Sequence, residues 1–260
     1  MTTLNPTCGL NLLHLQGRNA IVTGGSRGIG KAIAEALGAA GVRMVLVALH
    51  EPRLHDVCET MAKQGIVALP HAGDVAESQT AVGAVKLAHE RFGGVDILVN
   101  CAGIISRQPA EATSDEDWSR VMRVNLDGCF YFCREALPQM RTQKRGKIIN
   151  ISSQMAFMAH PKASPSYEAS KAGMTALTRH IALHYAPFGV CANAIAPGSI
   201  DTDLPKSMPE ETRERLRAAI PQKRLGEPEE VASLALFLAS DHSNYISGQT
   251  IPITGGSLMR

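Results

Sequence analysis

Two spacings of apolar residues take turns along the chain. Short unbroken runs occur at Asn19-Ala20-Ile21-Val22-Thr23, at Met44-Val45-Leu46-Val47-Ala48, and over 66–70, 96–99, 147–151, 191–195 and 250–253. Apolar runs this short suit strands buried on both faces. Between them apolar residues recur at three- and four-residue steps, as in Ile33, Ala34, Leu37 and Ala40 before Gly41. This second spacing predicts helices between Gly30 and Gly41 and over 52–63, 77–92, 115–139, 167–185 and 229–239. Strands alternating with helices imply a parallel sheet covered on both faces. Right-handed crossovers wind such units into an α/β, doubly wound, Rossmann-type domain with ligands at the carboxyl ends of the strands. Residues 1–16 read as a short arm and 17–260 as one domain, with the proline-marked stretch 198–225 (Pro205, Pro209, Pro221) as a substrate lid.

The positions just after the strands carry the candidate chemistry. The first strand ends in Gly24-Gly25-Ser26-Arg27-Gly28-Ile29-Gly30 and a helix follows. Glycines there let the backbone approach a pyrophosphate, and the helix N-terminus offers free N–H groups. Asp74, Asn100, Ser153 and Pro197-Gly198 also fall after strands. Tyr167 and Lys171 stand four apart, so on a helix they share one face. A free tyrosine has pKa about 10, and a neighbouring ammonium lowers it toward a usable acid/base. A competing motif overlaps the glycines. Gly24-Gly25-Ser26-Arg27-Gly28 matches the nucleophile elbow of a serine hydrolase, for which Asp201 and His242 could complete a triad. That reading leaves the third glycine and the Tyr/Lys pair without a purpose.

Composition removes other classes. The chain has 260 residues, a net charge of +2 and 45% apolar residues. Charge this balanced gives no reason to expect nucleic acid or a membrane surface as partner, and no apolar run is long enough to span a bilayer. Met1 to Gly17 lacks the pattern of a secretory signal. None of the six cysteines forms a C-x-x-C pair, so no metal site is expected and reduced thiols in a cytoplasmic enzyme are.

The ordered set of Thr23-Gly24-Gly25-Ser26-Arg27-Gly28-Ile29-Gly30, Asp74, Asn100-Cys101-Ala102-Gly103, Asn125, Ser153, Tyr167-x-x-x-Lys171 and Pro197-Gly198 resembles the short-chain dehydrogenases/reductases, from about Gly17 onward. The resemblance implies a seven-stranded sheet, a nicotinamide cofactor, a homotetramer and a catalytic tetrad of Asn125, Ser153, Tyr167 and Lys171. Tyr167 would move the proton, Ser153 would bond the substrate oxygen, and Lys171 would lower the tyrosine pKa and hold the ribose. Asn125 would hold a water linked to Lys171. The cofactor would lie on Gly24, Ser26, Arg27, Gly28, Ile29, Gly30, Asp74, Val75, Asn100, Ala102, Gly103, Tyr167, Lys171, Pro197, Gly198, Ile200 and Thr202. Two departures stand out. Cys101 replaces the family's second asparagine, and the second strand ends in Ala48-Leu49 without the acid that binds a ribose 2′-hydroxyl. Arg27, with Ser26 and His50 near, suits a 2′-phosphate, so NADP(H) is favoured and NAD(H) stays open.

The substrate is a small molecule. The segments around 100–107 and 165–167 and the ending Gly255-Gly256-Ser257-Leu258-Met259-Arg260 are similar to sugar-acid members such as gluconate 5-dehydrogenases. Arg107 or Arg260 could then pair with a carboxylate. The alternative is a 3-oxoacyl-[acyl-carrier-protein] reductase, for which Arg120, Arg123, Lys144, Arg145 and Lys147 would supply a basic patch. A dinucleotide sensor without chemistry is a third class, disfavoured by the presence of both Tyr167 and Lys171. His180/His184 and Cys129/Cys133, each at i and i+4, read as a surface pair and as packing, and Trp118 as a packing anchor.

Overall fold

Seven strands, β1 (Asn19–Thr23), β2 (Arg43–Ala48), β3 (Ala68–Ala72), β4 (Ile97–Asn100), β5 (Gly146–Ile151), β6 (Val190–Pro197) and β7 (Thr250–Ile253), form one sheet in the order β3-β2-β1-β4-β5-β6-β7. Every pairing is parallel. The computed structural model describes residues 13–160, 163–202 and 209–259. Alternate residues of each strand feed two cores. Ala20, Val22, Leu46, Val99 and Ile149 pack against α1 (Gly28–Ala39), α2 (Glu51–Lys63) and, late in the chain, α8 (Pro228–Ala239). Ile21, Val45, Leu98 and Ile148 face the other way, onto α3 (Ser78–Phe92), α5 (Gly128–Thr142) and α6 (Pro165–Tyr185). Burial on both faces is why the strands read as unbroken apolar runs.

Three elements differ from the sequence expectation. The third strand starts at Ala68, two residues after the expected Ile66. Ile66 instead bonds back to Met61 at the end of α2 and fills the space left by the missing side chain of Gly38 in α1. The helix expected over 115–139 is α4 (Asp115–Met122), a π-helical turn (Arg123–Asp127) and α5. The expected irregular lid contains α7 (Glu210–Ala219), a helix with no buried residue. Its ladder of Glu210–Arg213, Glu210–Arg217 and Glu211–Arg215 pairs supports a helix without an apolar stripe. No helix among the described residues is long and apolar enough to cross a membrane.

Candidate active site

Strand order reverses at β1 and β4, the two strands that leave for opposite faces, and a crevice opens beyond their carboxyl ends. Its floor is the glycine turn after β1. Gly24 has φ +69°, and a Cβ there would lie 2.9 Å from Ala102 N, so only glycine lets the β1 and β4 loops touch. A Cβ on Gly30 would overlap the Gly24 carbonyl. Thr23 Oγ1 accepts from both Cys101 N and Ala102 N, at 3.0 and 3.1 Å, and staples the two loops together. Helix α1 then starts with no side-chain cap and no acid in its first turn. Its leading N–H groups are therefore left for an anion, which fits the pyrophosphate of a dinucleotide.

The other expected cofactor contacts line this crevice or brace it. Arg27 is exposed at the N-cap of α1 and Ser26 is buried beneath it. Asp74 turns its carboxylate onto Ala76 N at 2.9 Å, while Val75 is buried in the core behind the loop. Asn100 donates to Asn150 Oδ1 at 2.8 Å, and its own Oδ1 is a buried acceptor without a partner. Such an orphan acceptor fits a bound donor. Gly198 N bonds Ile253 O at 2.9 Å after Pro197 ends β6. Ile200 is buried and bridges to Gly226. Thr202 crosses to the glycine turn, where a Cβ on Gly28 would lie 3.3 Å from its methyl group. At the end of β2, Leu49 is exposed and His50 caps α2 by accepting from Arg53 N.

Tyr167 and Lys171 from α6, Ser153 from the end of β5 and Asn125 from the π-helical turn converge. Helix α6 is set by Ser164, whose hydroxyl accepts from Tyr167 N at 3.2 Å, and by Pro165 in its first turn. Ser153 follows β5, accepts from Met155 N at 3.1 Å and hydrogen-bonds the Tyr167 phenol. The Lys171 ammonium donates to the Ile151 carbonyl at 2.8 Å and lies 5.9 Å from the Tyr167 ring centroid. Asn125 sits in the π-helical turn, a feature often found at functional sites. Its Oδ1 accepts from Ile104 N (2.8 Å), and its Nδ2 donates to Ile104 O (2.9 Å) and to Ser170 Oγ (3.0 Å). A Cβ on Gly103 would lie 3.3 Å from Asn125 Oδ1 and 3.4 Å from Lys171 Nζ, so the glycine keeps open the space those two groups share.

One electrostatic expectation is corrected. Burial raises the Tyr167 pKa above the ordinary tyrosine value, with the Ser153 hydroxyl pulling the other way. Burial lowers the pKa of Lys171 itself, and its ammonium is engaged by a backbone carbonyl. Cys101, the departure from the family pattern, is an inert thiol pushed up to about 12 by burial.

Several contributors had no role assigned in the sequence reading. Ser152 donates to the Lys171 carbonyl at 3.0 Å, so strand end and helix are tied twice. Thr23, Asn150 and Ser170 act the same way, each bonding a site residue far along the chain. Only the motif letters around them hinted at this. Other expectations are not met. The hydrolase triad does not gather at Ser26: His242 packs on His14, before β1 at the far end of the sheet, while Asp201, after β6, lies beside Arg213. The basic patch is not assembled either. Arg120 pairs with Asp117, Arg123 with Glu77 and Arg145 with Asp96, and Lys147 is buried on Ser243. Arg107 is exposed in the β4 loop, and Arg260 lies outside the described residues. Among the described residues no group of three or more His, Cys, Asp or Glu is placed to hold a metal ion.

A sheet wound from a glycine turn, with a phenol, an ammonium and a serine hydroxyl at its carboxyl edge, defines a dinucleotide-dependent oxidoreductase. The chain belongs to the short-chain dehydrogenase/reductase family: a family model described as enoyl-(acyl carrier protein) reductase matches residues 24–257. It is an NAD(P)-dependent enzyme acting on carbonyl or hydroxyl groups. The chain is 37% identical to a 3-oxoacyl-[acyl-carrier-protein] reductase of Vibrio cholerae over 247 residues, 95% of this chain and 100% of the relative. It is also 37% identical to the enzyme of that name from Aquifex aeolicus, over 94% of this chain and 98% of the relative. Among solved structures, a 3-oxoacyl-[acyl-carrier protein] reductase from Brucella melitensis matches with TM-score 0.90 at 32% identity, covering 100% of this chain and 98% of the other. A candidate gluconate dehydrogenase from Agrobacterium tumefaciens matches with TM-score 0.89 at 36% identity, covering 95% and 98%.

Proposed function

We propose that this enzyme reduces the 3-oxo group of an acyl thioester held on an acyl carrier protein, using NADPH. The observation that carries this reading is the full-length similarity to bacterial reductases of that name. It supports this reading over the sugar-acid substrate that the sequence motifs favoured. The nicotinamide, when bound, supplies the hydride. Ser153 hydrogen-bonds the substrate oxygen, where negative charge develops. Tyr167 gives that oxygen a proton, and a phenol kept neutral by burial suits donation. Lys171 holds the ribose and Asn125 holds a water beside it. The glycine turn, Asn100, Ala102, Gly103 and the Pro197–Thr202 segment hold the dinucleotide, Arg27 meets a 2′-phosphate, and residues 198–225 cover the substrate. The enzyme works as a cytoplasmic homotetramer.

A second reading, oxidation of a sugar acid such as gluconate, keeps support from one structural observation. Of the five cations expected to receive an acidic carrier protein, three are paired and Lys147 is buried, leaving Lys144 exposed, and they lie at two ends of the sheet. The deciding experiment is a panel of 3-oxoacyl thioesters, sugar acids and polyols assayed with both cofactors. We expect NADPH-dependent reduction of the thioesters. Turnover of gluconate with none of any thioester would replace the first reading by the second.

A further inference from the structure

We infer that Ser170 is a positioning residue: its hydroxyl fixes which way round the Asn125 amide sits and holds that amide to the turn of α6 that carries Tyr167 and Lys171. The inference rests on the roles given above to Asn125, Tyr167 and Lys171. Ser170 is fully buried, and a hydroxyl has one hydrogen to give. It gives that hydrogen to the Tyr167 carbonyl, 2.8 Å away. The oxygen is then an acceptor only, and Asn125 Nδ2 reaches it at 3.0 Å. A flipped amide would set Oδ1 against an oxygen with no hydrogen left to offer. Ile104 imposes the same orientation from the other side, its N–H on Oδ1 and its carbonyl on Nδ2. Both amide hydrogens are thereby used, and Oδ1 keeps one acceptor position. Oδ1 and the Lys171 ammonium share the opening beside Gly103. Ser170 thus presents an acceptor, not a donor, to whatever water or ammonium hydrogen occupies that opening.

A bond to the i−3 carbonyl is also what a buried serine makes for its own helix. The test must therefore separate orientation from packing. Kinetics would be run on the full-length enzyme with its best substrate from the panel, for Ser170→Ala, Asn125→Ala and the double variant. Dinucleotide affinity, the pH profile of kcat and Tm would be measured on each. We expect Ser170→Ala to lower kcat roughly five- to twentyfold, the effect of one buried hydrogen bond read out in rate, and to displace the pH profile with dinucleotide affinity retained. The double variant should be no slower than Asn125→Ala alone. Wild-type kcat in Ser170→Ala, or losses that multiply in the double variant, would overturn the inference while the role of Asn125 stood. Wild-type kcat in Asn125→Ala would remove that role and this inference together. Should Ser170→Ala not fold, Ser170→Cys, whose thiol is a weak donor and acceptor, carries the same expectations.

Discussion

Tyr167 and Lys171 are one helical turn apart, yet different neighbours govern their protons. The phenol answers to Ser153 and to burial, the ammonium to a backbone carbonyl at the end of β5. Tyr167→Phe should lower kcat by about 10²- to 10⁴-fold, the usual share of a positioned acid or base, while a titration of NADPH binding stays near wild type. The raised tyrosine pKa sets the sign of the pH dependence. Reduction uses the protonated phenol, so the chemical step should hold through neutral pH and fall only as pH climbs through that raised value. Oxidation should show the reverse trend. Tyr167 and Lys171 could be paired from their helical spacing and Ser153 from its place after a strand, whereas Asn125 was singled out by the family resemblance alone. The roles of Ser170, Ser152 and Thr23 were not legible, because each acts on a residue brought near only by the fold, Asn125 being 45 positions from Ser170. The wrong direction for the tyrosine pKa had a similar cause. Spacing brings an ammonium near, but only the fold shows that a carbonyl engages it.

At the level of elements, apolar spacing located every strand and failed where something other than an apolar stripe shapes the chain. β3 is an edge strand of half-buried residues containing Pro70, a residue edges tolerate, so its apolar signal was weak and Ile66 drew the boundary too early. The π-helical turn leaves the apolar recurrence on either side almost unbroken, which hid it. Helix α7 lacks an apolar stripe altogether. At the base of that segment Arg224 forks onto both oxygens of Glu230, at 2.6 and 2.7 Å, while Glu227 N bonds the same carboxylate at 2.8 Å. These contacts hold the Glu230 pKa down at about 2. A carboxylate with a depressed folded pKa contributes stability above its unfolded value of about 4.3, lost as pH falls through the folded one. The pair is partly exposed, so the effect should be modest. Thermal unfolding should place Glu230→Gln below wild type at pH 7 and level with it near pH 2. An equal gap at both pH values would remove the ion pair as the cause.

For the molecule as a whole, the doubly wound sheet followed from alternation and crossover handedness, with the resemblance implying the same seven strands that the apolar runs located. Assembly is a separate question. Helices α5 and α6 leave a groove of about 560 Å³ lined by Phe130, Leu137, Leu177 and Tyr185, with Phe130 and Leu183 exposed. If the homotetramer buries this face, sedimentation at micromolar concentration should give a tetramer for the wild type and a smaller species for Phe130→Glu. A wild-type monomer would sink the expectation. The sheet also has two unlike rims. Everything that touches cofactor or substrate in the proposed mechanism lies beyond the carboxyl ends of the strands. The opposite rim is laced by Arg18–Asp241, Asp96–Arg145 and Lys147–Ser243. A five- or six-residue strand separates them by roughly 15–20 Å. Lineages carrying this chain can therefore adjust heat tolerance at one rim and substrate choice at the other, with neither trait taxing its counterpart.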